Sequence, residues 1–380
     1  MHTLLMIVFF LSSFLLAWTY FAYPVFIALL ARWRPRPHER RPQTPSVSLV
    51  IPAYNEEEII ERKLENALQL DYPSDRLEIV VVADGSNDRT PEIVRDFEPR
   101  GVRLMHQPER QGKAAAMNRA MPETHNEILV FSDASAMMER DAIRQIASNF
   151  ADPHVACAGG EKRIHQADKI QAEGESTYWR YEAFIKRADS LANTAIGAIG
   201  EFLAIRRDLY RNVETDSVVE DFVLSMKLVM DGWRVVYDPS AVTWEEASPT
   251  LGGEWERHAR LGAGGFQAMR RLRELLSPRY GLAAFQYFSH KVLRWIAPFL
   301  MIICLVTSAL LLSVPAFRIL FWLQVMFYFL ALVGWGLEAL GLKFKPLRVV
   351  FYFCFGNAAI LAGFLRYAFG SQSVLWNKAR

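Results

Sequence analysis

Apolar positions in this chain form long runs at its two ends and short runs in its middle. Residues 4–31 are almost uncharged. A helix crosses the hydrocarbon core in about 20 residues, so this run predicts one membrane span with room for tilt. It is too long for a signal peptide, has no basic segment before it and no small-residue cleavage site after it. Arg32, Arg34, Arg36, Arg40 and Arg41 follow at once, interleaved with Pro35, Pro37 and Pro42. Basic flanks stay in the cytoplasm, which places the following residues there. Residues 295–314, 317–340 and 349–369 are three more spans by length. Lys291 and Arg294 put the first of these starting inside, and Lys343, Lys345 and Arg348 put the last loop inside. Parity then sends the tail outside, against the vote of Lys378 and Arg380.

The middle reads differently. Residues 47–52, 77–83, 102–105, 128–131 and 155–158 are short, continuously apolar and β-branched, as strands buried on both faces are. Between them, residues 56–70, 88–97, 113–121 and 141–150 carry helical patterns. Strand and helix in alternation predict an α/β domain with a doubly wound, mostly parallel sheet. Such sheets bind ligands at the carboxyl ends of their strands. The loops that follow strands are therefore where chemistry is expected.

Composition narrows the class. With 380 residues, 52% of them hydrophobic, there is room for one such domain and several spans. A net charge of +2 supplies no field for nucleic acid. Cys157, Cys304 and Cys354 show no paired spacing, so neither a disulfide framework nor a zinc site is indicated. The phosphate-binding Gly-x-x-x-x-Gly-Lys-Ser/Thr loop and the dinucleotide Gly-x-Gly-x-x-Gly loop are absent.

Polar clusters stand after the predicted strands: Pro52-Ala53-Tyr54-Asn55-Glu56, Asp84-Gly85-Ser86-Asn87-Asp88 and Phe131-Ser132-Asp133-Ala134-Ser135. Each also makes good turn and helix-cap chemistry, with Asp88 suited to cap the next helix. A carboxylate at this edge can hold a hard divalent cation that neutralises a diphosphate. Lys113, at the start of a helix, is placed by the topology to approach phosphates, or it is a solvated surface lysine. Glu220-Asp221 opens another helix. Acids there favour the dipole in any protein, and one of them is also placed to take a proton from an acceptor hydroxyl.

In order and spacing, these motifs resemble family 2 glycosyltransferases of the GT-A fold, in particular the membrane-embedded synthases of cellulose, hyaluronan and poly-N-acetylglucosamine. The resemblance covers about residues 46–265. It implies that Ala53, Tyr54 and Glu56 cradle the nucleotide, that Asp84 contacts the nucleoside and that Lys113 binds the donor. Asp133 is similar to the first acid of an Asp-x-Asp metal motif whose third position is here Ser135, and the implied cofactor is Mg2+ or Mn2+. Asp221 matches the general base, beside Glu220, and Gly200, Glu201 and Phe202 match an acceptor-side segment. Where processive relatives carry Gln-x-x-Arg-Trp, this chain reads Arg257-His258-Ala259-Arg260-Leu261. Arg257 and Arg260 keep charge for the diphosphate, but Leu261 lacks the aromatic face that stacks a sugar. Gly262-Ala263-Gly264-Gly265 still resembles the poly-N-acetylglucosamine branch.

The expected organisation is a span at 1–31, a basic linker at 32–45, a GT-A catalytic domain at 46–250, amphipathic interfacial helices at 251–290 and a membrane region at 291–380. The expected activity is inverting transfer from a nucleotide-sugar, UDP-linked by family resemblance, to a growing exopolysaccharide. It takes place at the cytoplasmic face of a bacterial-type inner membrane, with synthesis partner subunits. Transfer of one sugar to a lipid-linked acceptor, and an inactive nucleotide-sensing scaffold, are the alternatives.

Overall fold

A computed structural model describes residues 1–165, 170–246, 250–342 and 344–375, with backbone alone at 165 and 170–178. Lys343, Lys378 and Arg380, which bear on the parity of the last span, lie outside the described residues. The strands are β1 (Val47–Ala53), β2 (Leu77–Asp84), β3 (Val102–Gln107), β4 (Ile128–Phe131), β5 (Met137–Met138), β6 (Val155–His165), β7 (Leu203–Arg206) and β8 (Arg234–Glu246). They form one eight-stranded sheet in the order β3-β2-β1-β4-β7-β6-β8-β5. β1 pairs in parallel with β2 and β4, and β2 with β3. β7 runs antiparallel between β4 and β6, while β6 and β8 are parallel and β5 closes the edge antiparallel.

Apolar layers cover both faces of this sheet. Val50, Val80 and Val82 join one core, and Leu49, Ile51, Ile79 and Val81 join the other. Successive strand residues point to opposite faces, so burial on both sides demands the unbroken apolar runs seen in the sequence. The expected parallel half is present. β5, β7 and β8 carry no such signal: β5 is only two residues, the apolar run of β7 ends after three at Arg206, and Asp238 and Pro239 break β8.

The helices are α1 (His2–Trp33), α2 (Ile60–Leu68), α3 (Thr90–Asp96), α4 (Lys113–Glu123), α5 (Ala142–Ser148), α6 (Ile170–Ala192), α7 (Glu220–Met230), α8 (Leu251–Arg271), α9 (Leu282–Leu310), α10 (Pro315–Ala339) and α11 (Lys345–Ala368). Four of them, α1, α9, α10 and α11, are long and apolar enough to cross a membrane. α9 starts well before the apolar run does. Its first turns carry Gln286, His290, Lys291 and Arg294, which α6 receives. His290 Nδ1 lies 2.6 Å from Asp189 Oδ2, and its Nε2 lies 3.2 Å from Glu182 Oε1. Arg294 Nη1 reaches Glu182 Oε2 at 2.5 Å, and Lys291 pairs with the same carboxylate. Tyr23 of α1 donates to Asp189. Charges this deep are tolerable only when mutually paired, and here they tie the sheet domain to two spans at once.

α8 is expected to be an interfacial helix, and its glycine face is in fact buried. A Cβ at Gly262 would stand 2.9 Å from Ile360 Cα, and one at Gly363 would stand 2.2 Å from the Ala259 carbonyl. Gly265 lies under Trp295, and Gly264 under Val219 and Val218. The Gly262–Gly265 tract thus lets α8 touch α11 backbone to backbone. Glu256 and Arg366 add a paired contact at 2.7 and 2.8 Å.

This packing predicts opposite signs for two alanines in α11. Gly356 faces open space, so Gly356→Ala should stabilise by up to ~1 kcal/mol through helix propensity. Gly363→Ala should destabilise by about 1–3 kcal/mol through overpacking. Thermal melts of the detergent-solubilised chain check both, and equal shifts would mean the helices do not touch as described.

Candidate functional site

The loops after β1 and β2 are bonded to each other. Asn55, at φ +52°, donates its backbone N–H to Ser86 Oγ (3.1 Å); its side chain donates to Asn87 Oδ1 at 2.7 Å and accepts from Asn87 N–H at 2.9 Å. Glu56 N–H donates to Thr90 Oγ1 at 2.7 Å. Asp88 accepts from Thr90 N–H at 3.0 Å and Glu57 N–H at 3.1 Å, a turn just ahead of α3, whose N-cap position is Arg89 and not Asp88 as expected. Much of the polar character of these motifs is therefore structural. Ala53 is buried at the end of β1, and Tyr54 presents its ring to Arg110, whose guanidinium carbon is 3.5 Å from the ring centroid. Gly85 must be glycine: its φ is +71°, and a Cβ would meet Arg110 backbone at 2.5 Å.

Asp84 ends β2 with a buried carboxylate. Its Oδ2 accepts from the N–H groups of Gln111 (2.9 Å) and Gly112 (2.6 Å), and Arg119 reaches Oδ1 at 3.3 Å. Asp84 thereby sets the entry into α4, and the next residue is Lys113. Lys113 Nζ stands 2.5 Å from Asp133 Oδ1, 3.3 Å from Glu220 Oε1 and 3.4 Å from the Gly200 carbonyl. A Cβ at Gly200 would come within 3.3 Å of Asp221 Oδ2. One ammonium thus gathers the loop after β4, the start of α7 and the segment before β7.

A second ammonium lies beside the first group. Lys162 Nζ bridges Glu201 at 2.7 Å and Glu245 at 2.5 Å, and Glu245 accepts from Ser135 Oγ at 2.9 Å. Trp179 of α6 lies beneath Lys162, 4.8 Å from the ring centroid, with Arg257 at 5.9 Å. Arg257 also pairs with Glu254 at 3.1 Å. Arg260 is half-buried one turn further along α8. Phe202 is wholly buried and packs where a Cβ at Gly160 would stand 2.3 Å from its ring. Leu261 is 39% exposed.

Burial and like charge shape the titration of this edge. Desolvation first, then Glu220, raise Asp221 to about 7, against the pull of Lys113. Asp133 is likewise raised, by burial and by Glu201 and Glu245, with Lys113 opposing. Burial would raise Glu201 too, but Lys162 holds it below its ordinary value. Burial would lower Lys113, and Asp133, Glu220 and Asp221 more than restore it, so it stays a cation.

Lys162, Glu245, Trp179 and Lys63 escaped the motif reading. Lys63 is fully buried under the Asp133 loop, donating to Ser132 Oγ at 2.8 Å and to the Ala136 carbonyl. Burial lowers it to about 7, with Asp133 and Glu245 opposing. The signal available was a lysine on the apolar stripe Ile60, Leu64, Ala67 of α2. For Lys162 and Glu245 it was charge inside otherwise buried strands.

A mostly parallel sheet with acids, lysines and a bonded pair of loops at the carboxyl ends of its strands defines a GT-A-type glycosyltransferase. Residues 48–214 match the family described as Glycosyl transferase family 2. It is 30% identical over 231 residues to a poly-β-1,6-N-acetyl-D-glucosamine synthase of Staphylococcus aureus, a match covering 59% of this chain and 56% of that one. The Staphylococcus epidermidis enzyme of the same name is 28% identical over 235 residues, 60% of this chain and 57% of the relative. The chain thus spans a little over half the length of these relatives. Among solved structures it is similar to the mannosyltransferase PcManGT from Pyrobaculum calidifontis, in complex with GDP-Man and Mn2+. That likeness has a TM-score of 0.73 and 25% identity, and it covers 96% of this chain and 100% of the other.

Lys63→Met removes the clasp on the Asp133 loop without opening much space. It also leaves the buried Ser132 hydroxyl and Ala136 carbonyl without this donor, which costs about 1–3 kcal/mol. The thermal midpoint should therefore fall, and sugar transfer should fall about tenfold at a temperature where the variant is folded, through misplacement of Asp133. Nucleoside diphosphate release at saturating donor checks this. An unchanged rate would show that the loop holds itself.

Proposed function

We propose that this chain transfers a sugar, with inversion, from a nucleotide-sugar to a growing polysaccharide at the cytoplasmic face of a cell membrane. In this proposal the donor is UDP-linked, as the resemblance of the sequence motifs implies. The observation that carries the proposal is the convergence of Lys113, Asp133, Glu220 and Asp221 at Gly200. In it, the acceptor hydroxyl gives its proton to Asp221 as its oxygen attacks the anomeric carbon. The carbon–oxygen bond to the diphosphate breaks on the opposite side, and the nucleoside diphosphate leaves with the electron pair. Lys113, with Arg257 and Arg260 from α8, takes up the growing negative charge. Ala53, Tyr54, Glu56 and Asp84 border the nucleotide, and Gly200 and Glu201 border the acceptor.

The donor set suits Mg2+ or Mn2+. Among the described residues no three His, Cys, Asp or Glu side chains converge at ligand distance. Such cations in phosphate chemistry commonly take one or two protein carboxylates and complete their shell with phosphate and water. Asp133, at the rim beside Ser135, would hold the ion. The cation would supply charge neutralisation on the diphosphate. The Mn2+ in the mannosyltransferase complex supports this.

Single-sugar transfer to a lipid-linked acceptor is the second reading. It is favoured by Leu261, which offers no aromatic face where processive relatives have Trp. Membranes fed labelled UDP-N-acetylglucosamine or GDP-mannose separate the two, because a ladder of products arises only from repeated addition.

Asp221→Asn should lower turnover by roughly two to four orders of magnitude with donor affinity kept, as expected for loss of a general base. Full activity in that variant would remove the assignment. A base works deprotonated, so turnover should rise with pH and level off above about 7. Glu220 raises Asp221, so Glu220→Gln should shift the inflection to lower pH. A pH–rate series on both proteins checks the sign.

A further inference from the structure

A carboxylate at Asp133 is not followed by a second one at position 135, where Ser135 stands. A hard cation held by a single protein carboxylate depends heavily on its substrate phosphates. The fold brings a second carboxylate to the same place from a distant part of the chain. β5 follows the Asp133 loop directly and pairs antiparallel with β8, Met137 opposite Trp244 and Met138 opposite Thr243. Continuing that register carries the loop past Glu245. Ser135 Oγ accordingly donates to Glu245 Oε1 at 2.9 Å.

One further contact and its burial aim this group. Lys162 Nζ fixes the other oxygen, Oε2, at 2.5 Å, and the Glu245 side chain is only 13% exposed. Glu245 is also among the charges that face Asp133, and both carboxylates face the ammonium of Lys63. The position lacking an acid is therefore bonded to an acid whose orientation is set independently. A diphosphate entering beside Asp133, Glu245, Glu201 and Glu220 meets strong repulsion unless a divalent cation enters with it.

We propose that Glu245 supplies the second protein carboxylate for the divalent cation, reaching across from β8 to the place an acid at 135 would fill. This rests on the donor-site reading above. It assigns that site a ligand 112 positions beyond Asp133 in the chain, outside the stretch that matches the family.

The test measures metal rather than turnover. Free Mn2+ is followed by electron paramagnetic resonance in the purified full chain, with UDP and with GDP in turn. In Glu245→Gln, Lys162 keeps Glu201 at 2.7 Å, so the lysine is not stranded. Nucleotide-dependent Mn2+ affinity should fall about 10–100-fold, a typical cost of disturbing a metal site. Adding Ser135→Asp to Glu245→Gln should return most of that affinity. Unchanged affinity in folded Glu245→Gln overturns the proposal and leaves the donor-site reading intact. If Glu245→Gln does not fold, the double variant decides: folded but unable to take up Mn2+, it overturns the proposal. Wild-type protein that takes up no Mn2+ with either nucleotide overturns the donor-site reading itself.

Discussion

The acidic edge of the sheet depends on one half-buried ammonium, that of Lys113. Asp133 and the adjacent pair Glu220 and Asp221 arrive from two separate segments, and bringing them together in a desolvated place costs free energy through mutual repulsion. Lys113 offsets that cost by sitting among them, and Asp84 keeps Lys113 there by binding the backbone N–H of Gly112. The arrangement leaves negative charge in excess. A rim of this kind suits a cationic ligand or an acceptor that surrenders a proton, and repels a bare diphosphate.

A second polar knot serves a different end. Glu182 and Asp189 on α6 are met by His290, Lys291 and Arg294 on α9 and by Tyr23 on α1. α6 also carries Trp179 beneath Lys162 and Arg257. The helix that docks the domain on its spans therefore also furnishes a wall of the site. Membrane attachment and active-site shape share one rigid element.

How much of this the amino-acid sequence disclosed depended on whether a residue's role is local. Residues 47–52 and 77–83 face cores on both sides, so their apolar continuity declared a buried strand. Lys113, Asp133 and Asp221 stand at strand ends or helix starts, where topology alone predicts ligands. β7 and β8 stayed hidden because the apolar run of β7 ends after three residues at Arg206 and Asp238 and Pro239 break that of β8. Lys162 and Glu245 owe their meaning to each other and to Ser135, across long stretches of chain. Arg257 stood in a recognisable motif, but Trp179 beneath it lies far away in sequence. The glycines at 262–265 were legible as a pattern and not as a cause, since their reason is Ile360 and Trp295.

That cause has a mechanical corollary. Where Ala259 and Gly363 meet there is no side chain to deform, so the two helices cannot slide without backbone collision. Arg257 and Arg260 are consequently borne by the same stiff unit as the last span. Any tilt imposed on that helix is delivered, undamped, to those two guanidinium groups.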